Sequence, residues 1–194
     1  QNYLTVREQD KVEVISRIID INSYDLVMIF CNTKKTVDEV TSGLLQRGFV
    51  TEALHGDMKQ LQRERVMNRF KAKQVNILVA SDVAARGLDV NDVDVVFNYD
   101  LPQEDEYYVH RIGRTGRAGK NGLAYTFING KRQLNELIEI AKSTNSDIKE
   151  GKLPRRNELI ENLSLKFIDK VESKLKDGTY ESYNFVSESL LNKG

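Results

Sequence analysis

Residues 26–54 read LVMIFCNTKKTVDEVTSGLLQRGFVTEAL, and their patterning decides the fold class. Leu26 to Cys31 is a continuous apolar run of strand length, the pattern of a strand buried on both faces. Thr36 to Gln46 then repeats at helical spacing, with Val37, Val40 and Leu44 inward, and Gly48 suits the turn that ends the helix. Val50 to Leu54 is a second strand. A strand, a helix and a strand in so short a span make a βαβ unit, the building block of a parallel sheet.

The alternation extends in both directions. Upstream, Val12, Ile15 and Ile19 share one helical face. Downstream, Gln60 to Lys71 reads as a helix with Val66, Met67 and Phe70 inward. Val75 to Ala80, Val93 to Tyr99 and Leu123 to Ile128 read as buried strands. Glu104 to Ile112 and Lys131 to Ser143 read as helices, the latter with Leu134, Leu137, Ile138 and Ala141 on one side. The expected fold class is α/β: a parallel sheet covered by helices on both faces. In such sheets ligands bind beyond the carboxyl ends of the strands, so the loops after the strands should carry the chemistry.

Past Pro154 the pattern changes. Leu159, Leu163, Phe167, Val171 and Leu175 recur every four residues, and Ile160 and Ile168 widen the stripe. Asp177-Gly178 breaks it, and a shorter amphipathic piece carries Tyr183, Val186, Leu190 and Leu191. We therefore expect two regions: residues 1–154 forming the α/β domain and residues 155–194 forming a helical extension, whose broad apolar stripe must be covered by its own domain or by a second copy.

Bulk properties narrow the function classes. Of 194 residues, 29 are basic and 29 acidic, so there is no general excess of positive charge for a polyanion; a local basic groove remains compatible with that balance. No apolar run approaches the ~20 residues of a membrane-spanning helix. The charged opening, Gln1 to Asp20, does not resemble a signal peptide. Cys31 is the single cysteine, which excludes an intrachain disulfide and suggests a reducing compartment.

Two strings carry the chemistry. The first is His110-Arg111-Ile112-Gly113-Arg114-Thr115-Gly116-Arg117. Arginines three residues apart on a helix ending in a turn aim several guanidiniums at one region. Like charges clustered this way suit concentrated negative charge, and guanidinium forks bind phosphate oxygens bidentately. An arginine trio alone would more readily be a solvated basic turn, but the full string in this setting reverses that. The second string is Ala80-Ser81-Asp82-Val83-Ala84-Ala85-Arg86-Gly87-Leu88-Asp89, directly after a buried strand. Ser81 can donate to a phosphate oxygen and Asp89 can accept from a sugar hydroxyl. Asp82 is equally a helix N-cap.

These strings resemble motifs VI and V of the DEAD-box RNA helicases. The remaining features agree in order and spacing. Phe30-Cys31-Asn32-Thr33-Lys34 is similar to motif IV. His55-Gly56-Asp57-Met58 followed by Gln60-Leu61-Gln62-Arg63 resembles motif IVa. Asn68-Arg69-Phe70 and Asn98-Tyr99-Asp100-Leu101-Pro102 match family segments. Ser81 stands where many members have threonine, and the hydroxyl is kept.

The resemblance implies a RecA-like fold and a C-terminal helicase domain. Neither a G-x-x-x-x-G-K-[ST] phosphate loop nor an Asp-Glu-Ala-Asp string occurs in the sequence. The resemblance places both on an N-terminal RecA-like domain of the same protein, which fits a chain excised from a longer one. ATP would then bind between the two domains, with magnesium held mainly by the other; no metal ligand is assigned to this chain. Arg114 and Arg117 are implied as arginine fingers, and Asp89 as a ribose contact. His110 and Arg111 are implied as interdomain contacts, His110 with a structural histidine as the alternative. Thr33, Gly56, Arg63, Ser81 and Gly87 are implied to contact the RNA sugar–phosphate backbone, which carries no sequence information. For His55 and Asp57 loop geometry is the favoured role. The whole protein is expected to unwind RNA locally in the cytoplasm, this chain being inactive alone and dimeric through residues 155–194. A non-enzymatic RNA-binding module and a DNA-directed helicase are the rivals; the intact arginines argue against the first and the motif strings against the second.

Overall fold

The computed structural model describes residues 1–85, 90, 92–116, 122–153 and 156–176. The chain divides into two compact units, Gln1–Leu153 and Pro154–Gly194.

The first unit runs β1 (Asn2–Thr5), α1 (Lys11–Asn22), β2 (Val27–Cys31), α2 (Lys34–Leu45), β3 (Thr51–Leu54), α3 (Gln60–Lys71) and β4 (Ile77–Ser81). It continues with the short α4 (Asp82–Ala85), β5 (Val95–Asn98), α5 (Asp105–Ile112), β6 (Leu123–Ile128), α6 (Lys131–Ser143) and β7 (Lys149–Glu150). The strands form one sheet in the order β3-β4-β2-β5-β6-β1-β7. Every pairing in it is parallel.

Side chains alternate across a strand, so a fully buried strand feeds two cores at once. Val27, Ile29 and Cys31 face α1 and α2, against Ile15, Ile18, Val37, Val40 and Leu44. Met28 and Phe30 face the other layer, against Val66, Met67 and Phe70 of α3 and Ala84 of α4. On that second layer α5 and α6 pack through Tyr108, Leu137 and Ile140 onto Ile128. This is the parallel sheet covered on both faces that the apolar runs predict.

Several details differ from the periodicity. Val50 is 49% exposed and β3 begins at Thr51, because Val50 serves the sheet through its carbonyl, which accepts from Asn76 and Ile77. Val75 and Val93 are buried ahead of β4 and β5 rather than within them. In α6 the inward row is Leu134, Leu137 and Ile140, three residues apart, which leaves Ile138 turned outward at 42% exposure. Strands β1 and β7 have no sequence signal: β1 is four residues of mixed polarity, placed by its pairing with β6. Gly48 has φ +85°, the left-handed conformation that closes α2 without a Cβ clash.

The second unit is described through α7 (Arg156–Lys176). Ile160, Phe167, Ile168 and Val171 on it are exposed. The side chains of Leu159, Leu163 and Leu175, and the whole Tyr183 to Leu191 piece, lie outside the described residues. Among the described residues no helix is long and apolar enough to cross a membrane.

Candidate nucleotide and nucleic-acid site

The chain winds outward from β2 to β3 and β4 on one side, and through β5 and β6 on the other. The carboxyl ends of β2 and β5 therefore flank the point where the strand order reverses, where a crevice for ligands forms in such sheets.

Arg111 sits there. It is 1% exposed. Its Nε donates to Asp82 Oδ1 at 2.6 Å and its Nη2 to Asp82 Oδ2 at 2.6 Å, a bidentate pair. Nη2 also donates to Asn32 Oδ1 at 2.9 Å, and Nη1 donates to the Asp100 carbonyl at 2.7 Å and to Asn98 Oδ1 at 3.5 Å. These five bonds use every N–H of the guanidinium. The ring of Phe30 lies 5.4 Å from it. The acceptors come from the ends of β2, β4 and β5, so one side chain gathers three loops.

Asn32 and Asp100 reinforce the gathering. Asn32 donates its Nδ2 to the Leu101 carbonyl at 2.7 Å, and its backbone N–H to Asp100 Oδ2 at 2.9 Å. Asn98, 0% exposed, donates Nδ2 to Thr126 Oγ1 at 3.0 Å, which reaches β6. Among sequence readings, Asp82 as an N-cap gives way to Asp82 as the carboxylate that neutralises Arg111. Asn32, Asn98 and Asp100 stand in the motif strings but show no individual role until the strands bring them together.

Beside this web lies a cavity of about 360 Å³ lined by Phe30, Asp82, Tyr107, His110, Arg111 and Arg114. Arg114 is half-buried at its wall. Its contacts include the His110 carbonyl, 3.3 Å from Nε, and the Val90 carbonyl, 3.4 Å from Nη1. His110 is half-exposed, its Nε2 3.9 Å from Glu106 Oε1. Arg117, Asp89 and Gly87 lie outside the described residues. Gly116 has φ +77°, and a Cβ on Gly122 would meet the Gly116 backbone at 2.7 Å. The backbones of these two glycines thus lie close together, and residues 117–121 between them lie outside the described residues.

The expected RNA-facing residues fall on the neighbouring strands. Thr33 caps α2 just past β2, its Oγ1 accepting from the Thr36 N–H at 3.1 Å. Gly56 is exposed two residues past β3, with nothing within 4 Å of where a Cβ would stand. Ser81 ends β4 and is 8% exposed. Arg63, in the first turn of α3, donates Nη2 to the Ala84 carbonyl at 2.9 Å. β3, β4 and β2 are adjacent, so all four residues share one edge of the sheet. Near them Lys34 pairs with Asp57 and holds its carboxyl below the usual carboxylate range, and His55 Nε2 lies 3.4 Å from Asp38. Among the described residues no group of three or more His, Cys, Asp and Glu could hold a metal ion.

Comparison with known proteins agrees with this geometry. Residues 10–119 match the family described as helicase conserved C-terminal domain. The DEAD-box ATP-dependent RNA helicase CshA of Geobacillus kaustophilus is 41% identical over 191 residues, 98% of this chain. The chain spans 41% of that relative's length. The C-terminal domain of the DEAD-box protein Dbp5 superposes with a TM-score of 0.74 at 32% identity, over 86% of this chain and 96% of that one. Dbp5 of S. cerevisiae bound to RNA and ADP BeF3 matches at TM-score 0.74 and 31% identity, over 84% of this chain and 45% of that one. The described residues place motifs IV, V and VI around one buried arginine on a RecA-like sheet, and the chain belongs to the helicase conserved C-terminal domain family, as the C-terminal domain of a DEAD-box protein.

Proposed function

We propose that this domain forms one wall of an ATP-binding cleft whose other wall is an N-terminal RecA-like domain of the same protein, and that the whole protein is an ATP-dependent RNA helicase that opens duplexes locally. The observation that carries this is the 360 Å³ cavity beside the buried Arg111 web, with His110 and the half-buried Arg114 in its wall. A guanidinium in the wall of such a cavity suits the oxygens of a phosphate bound there. Arg114 and Arg117 are the arginine fingers for the γ-phosphate, and Asp89 the ribose contact. Magnesium would be held mainly by the N-terminal domain and would supply charge neutralisation for the phosphates. Among the described residues that line the cavity the carboxylate is Asp82, which is already committed to Arg111, so the carboxylates for the metal would come from that other domain.

Thr33, Gly56, Arg63, Ser81 and Gly87 receive the RNA backbone. Hydroxyls, an arginine and an unobstructed glycine suit phosphate and sugar contacts without base readout. Asn32 adjoins Thr33, Asp82 adjoins Ser81, and both bind Arg111. The buried web therefore links the RNA edge to the nucleotide wall. His110 reports across the cleft directly. Arg111 does so by holding the loops that meet the N-terminal domain, and Val83, 75% exposed on α4 beside the cavity, offers that domain an apolar contact. The protein works in the cytoplasm, and two copies associate through residues 155–194, where the exposed residues of α7 cover one another.

The test joins the chain to its phosphate-loop domain. Arg114→Ala and Arg117→Ala should each lower the RNA-stimulated kcat by about 10²-fold or more, with a much smaller change in ATP affinity, because their charge acts chiefly in the transition state. A variant that keeps wild-type kcat removes that residue from the finger role.

A further inference from the structure

Lys11 is 2% exposed at the first turn of α1, a position where lysine is rarely buried. Its ammonium donates to the Tyr99 carbonyl at 2.8 Å across 88 residues of chain. It pairs with Glu8 Oε2 at 2.7 Å, lies 3.7 Å from Asp100 Oδ1, and sits 4.5 Å from the centre of the Tyr99 ring. Desolvating an ammonium is costly, and hydrophobic packing alone could fill this place. The arrangement therefore asks what the charge holds.

It holds the chain where β5 ends. Tyr99 and Asp100 form the turn from β5 toward α5. The Tyr99 N–H donates to the Phe30 carbonyl at 2.9 Å, and its own carbonyl is taken by Lys11. The Asp100 carboxylate lies between two cationic or polar hydrogens: one oxygen faces Lys11 and the other accepts from Asn32 N–H. The Asp100 carbonyl in turn accepts from Arg111 Nη1 at 2.7 Å. Lys11 thus orients the peptide that orients Arg111, and Arg111 stands one helical turn before Arg114.

We propose that Lys11 is a positioning residue for the arginine string: it fixes the Tyr99–Asp100 turn, which sets the Arg111 fork, which sets where Arg114 faces the cleft. This rests on the finger reading of Arg114 for its kinetic consequence, but its structural part stands independently. Lys11 is not among the residues that line the cavity.

Two arms test it. In the chain itself, the Arg111 Nε–H resonance, assigned by its disappearance in Arg111→Lys, should exchange slowly with solvent because the donor is buried on Asp82. In Lys11→Met, which keeps length and apolar stem, that exchange should accelerate by at least about 10-fold while far-UV dichroism is unchanged. In the protein joined to its phosphate-loop domain, Lys11→Met should lower kcat on the order of 10-fold to 10²-fold, the range that a small misplacement of a reacting group produces, with KM for ATP nearly unchanged. In an Arg114→Ala background it should change kcat little further, because the two act in series. Unchanged Arg111 exchange in folded Lys11→Met overturns the proposal, as does a kcat loss that multiplies fully with that of Arg114→Ala. If Arg114→Ala itself keeps wild-type kcat, the finger reading fails and the exchange arm alone decides. Should Lys11→Met not fold, Asp100→Asn is read by the same two arms. It keeps the shape and the carbonyl while removing the charge that faces Lys11, and faster Arg111 exchange supports the chain of contacts while unchanged exchange overturns it.

Discussion

Arg111 and Asp82 show how far a single residue can organise this domain. A buried ion pair is not cheap, and its geometry has to satisfy every donor to be tolerated. Here all five N–H groups are used. Removing one partner leaves the other charge buried and alone, so Asp82→Ala should destabilise the domain by about 3–5 kcal/mol, read as a lower urea midpoint at unchanged slope. Arg111→Lys should also destabilise it, since an ammonium cannot reproduce the fork. Cys31 gives a second prediction at this scale. It is 0% exposed at the end of β2, and burial pushes its thiol well above the usual range. The folded state thus holds the proton more tightly than the unfolded one, so this group's contribution to stability is present at neutral pH and is lost as pH rises past the ordinary thiol value of about 8.5. A thiol reagent at pH 8 should leave the native chain unlabelled and react fully in denaturant.

At the scale of elements, α5 carries His110 and Arg111, and a close approach of two glycine backbones follows it. α5 stops at Ile112, and the Gly113 N–H donates back to the Val109 carbonyl at 2.9 Å. Beyond it the Gly116 backbone meets Gly122 so closely that a Cβ on Gly122 would stand 2.7 Å from Gly116 Cα and N and 2.9 Å from Thr115 C. Those atoms are backbone and cannot rotate away. Gly122→Ala should therefore force Gly122 and Gly116 apart, at a cost of about 1–3 kcal/mol if the rest of the domain absorbs it. Calorimetry would measure the loss. α1 and α2 make the contrasting case: their apolar rows pack onto the sheet, and polar changes on their outer faces should stay within about 0.5 kcal/mol.

On the scale of the whole molecule, a single RecA-like domain offers arginines but neither a phosphate loop nor an Asp-Glu-Ala-Asp string. The chain alone should show no ATPase above a buffer blank, with or without RNA, because positioning and charge neutralisation of the phosphates need both walls. RNA-stimulated turnover by the chain alone would refute the two-walled cleft. The second unit makes a separate prediction. Sedimentation at micromolar concentration should show a dimer for the full chain and a monomer for one ending at Pro154. Phe167→Asp should also give monomers, because a carboxylate pressed into an apolar seam costs several kcal/mol or so. A full chain that sediments as a monomer would mean that the stripe of α7 is covered in some other way.

What the sequence determined by itself was whatever local pattern controls. Continuous apolar runs such as Leu26 to Cys31 specify strands buried on both faces, and such strands need helices on both sides. The motif strings are contiguous, so their family was legible before any contact was known. Gly48 and the inward faces of α2 and α3 were legible for the same reason. Tertiary structure alone decided the pairings that span the chain. Lys11 lies 88 residues from Tyr99, and Arg111 lies 79 from Asn32 and 29 from Asp82. A lysine or an aspartate in a sequence looks solvated, because charge is buried only when a distant partner compensates it, and no periodicity records that partner. β1 was hidden on the same grounds: four residues of mixed polarity become a strand only because β6 supplies the hydrogen bonds.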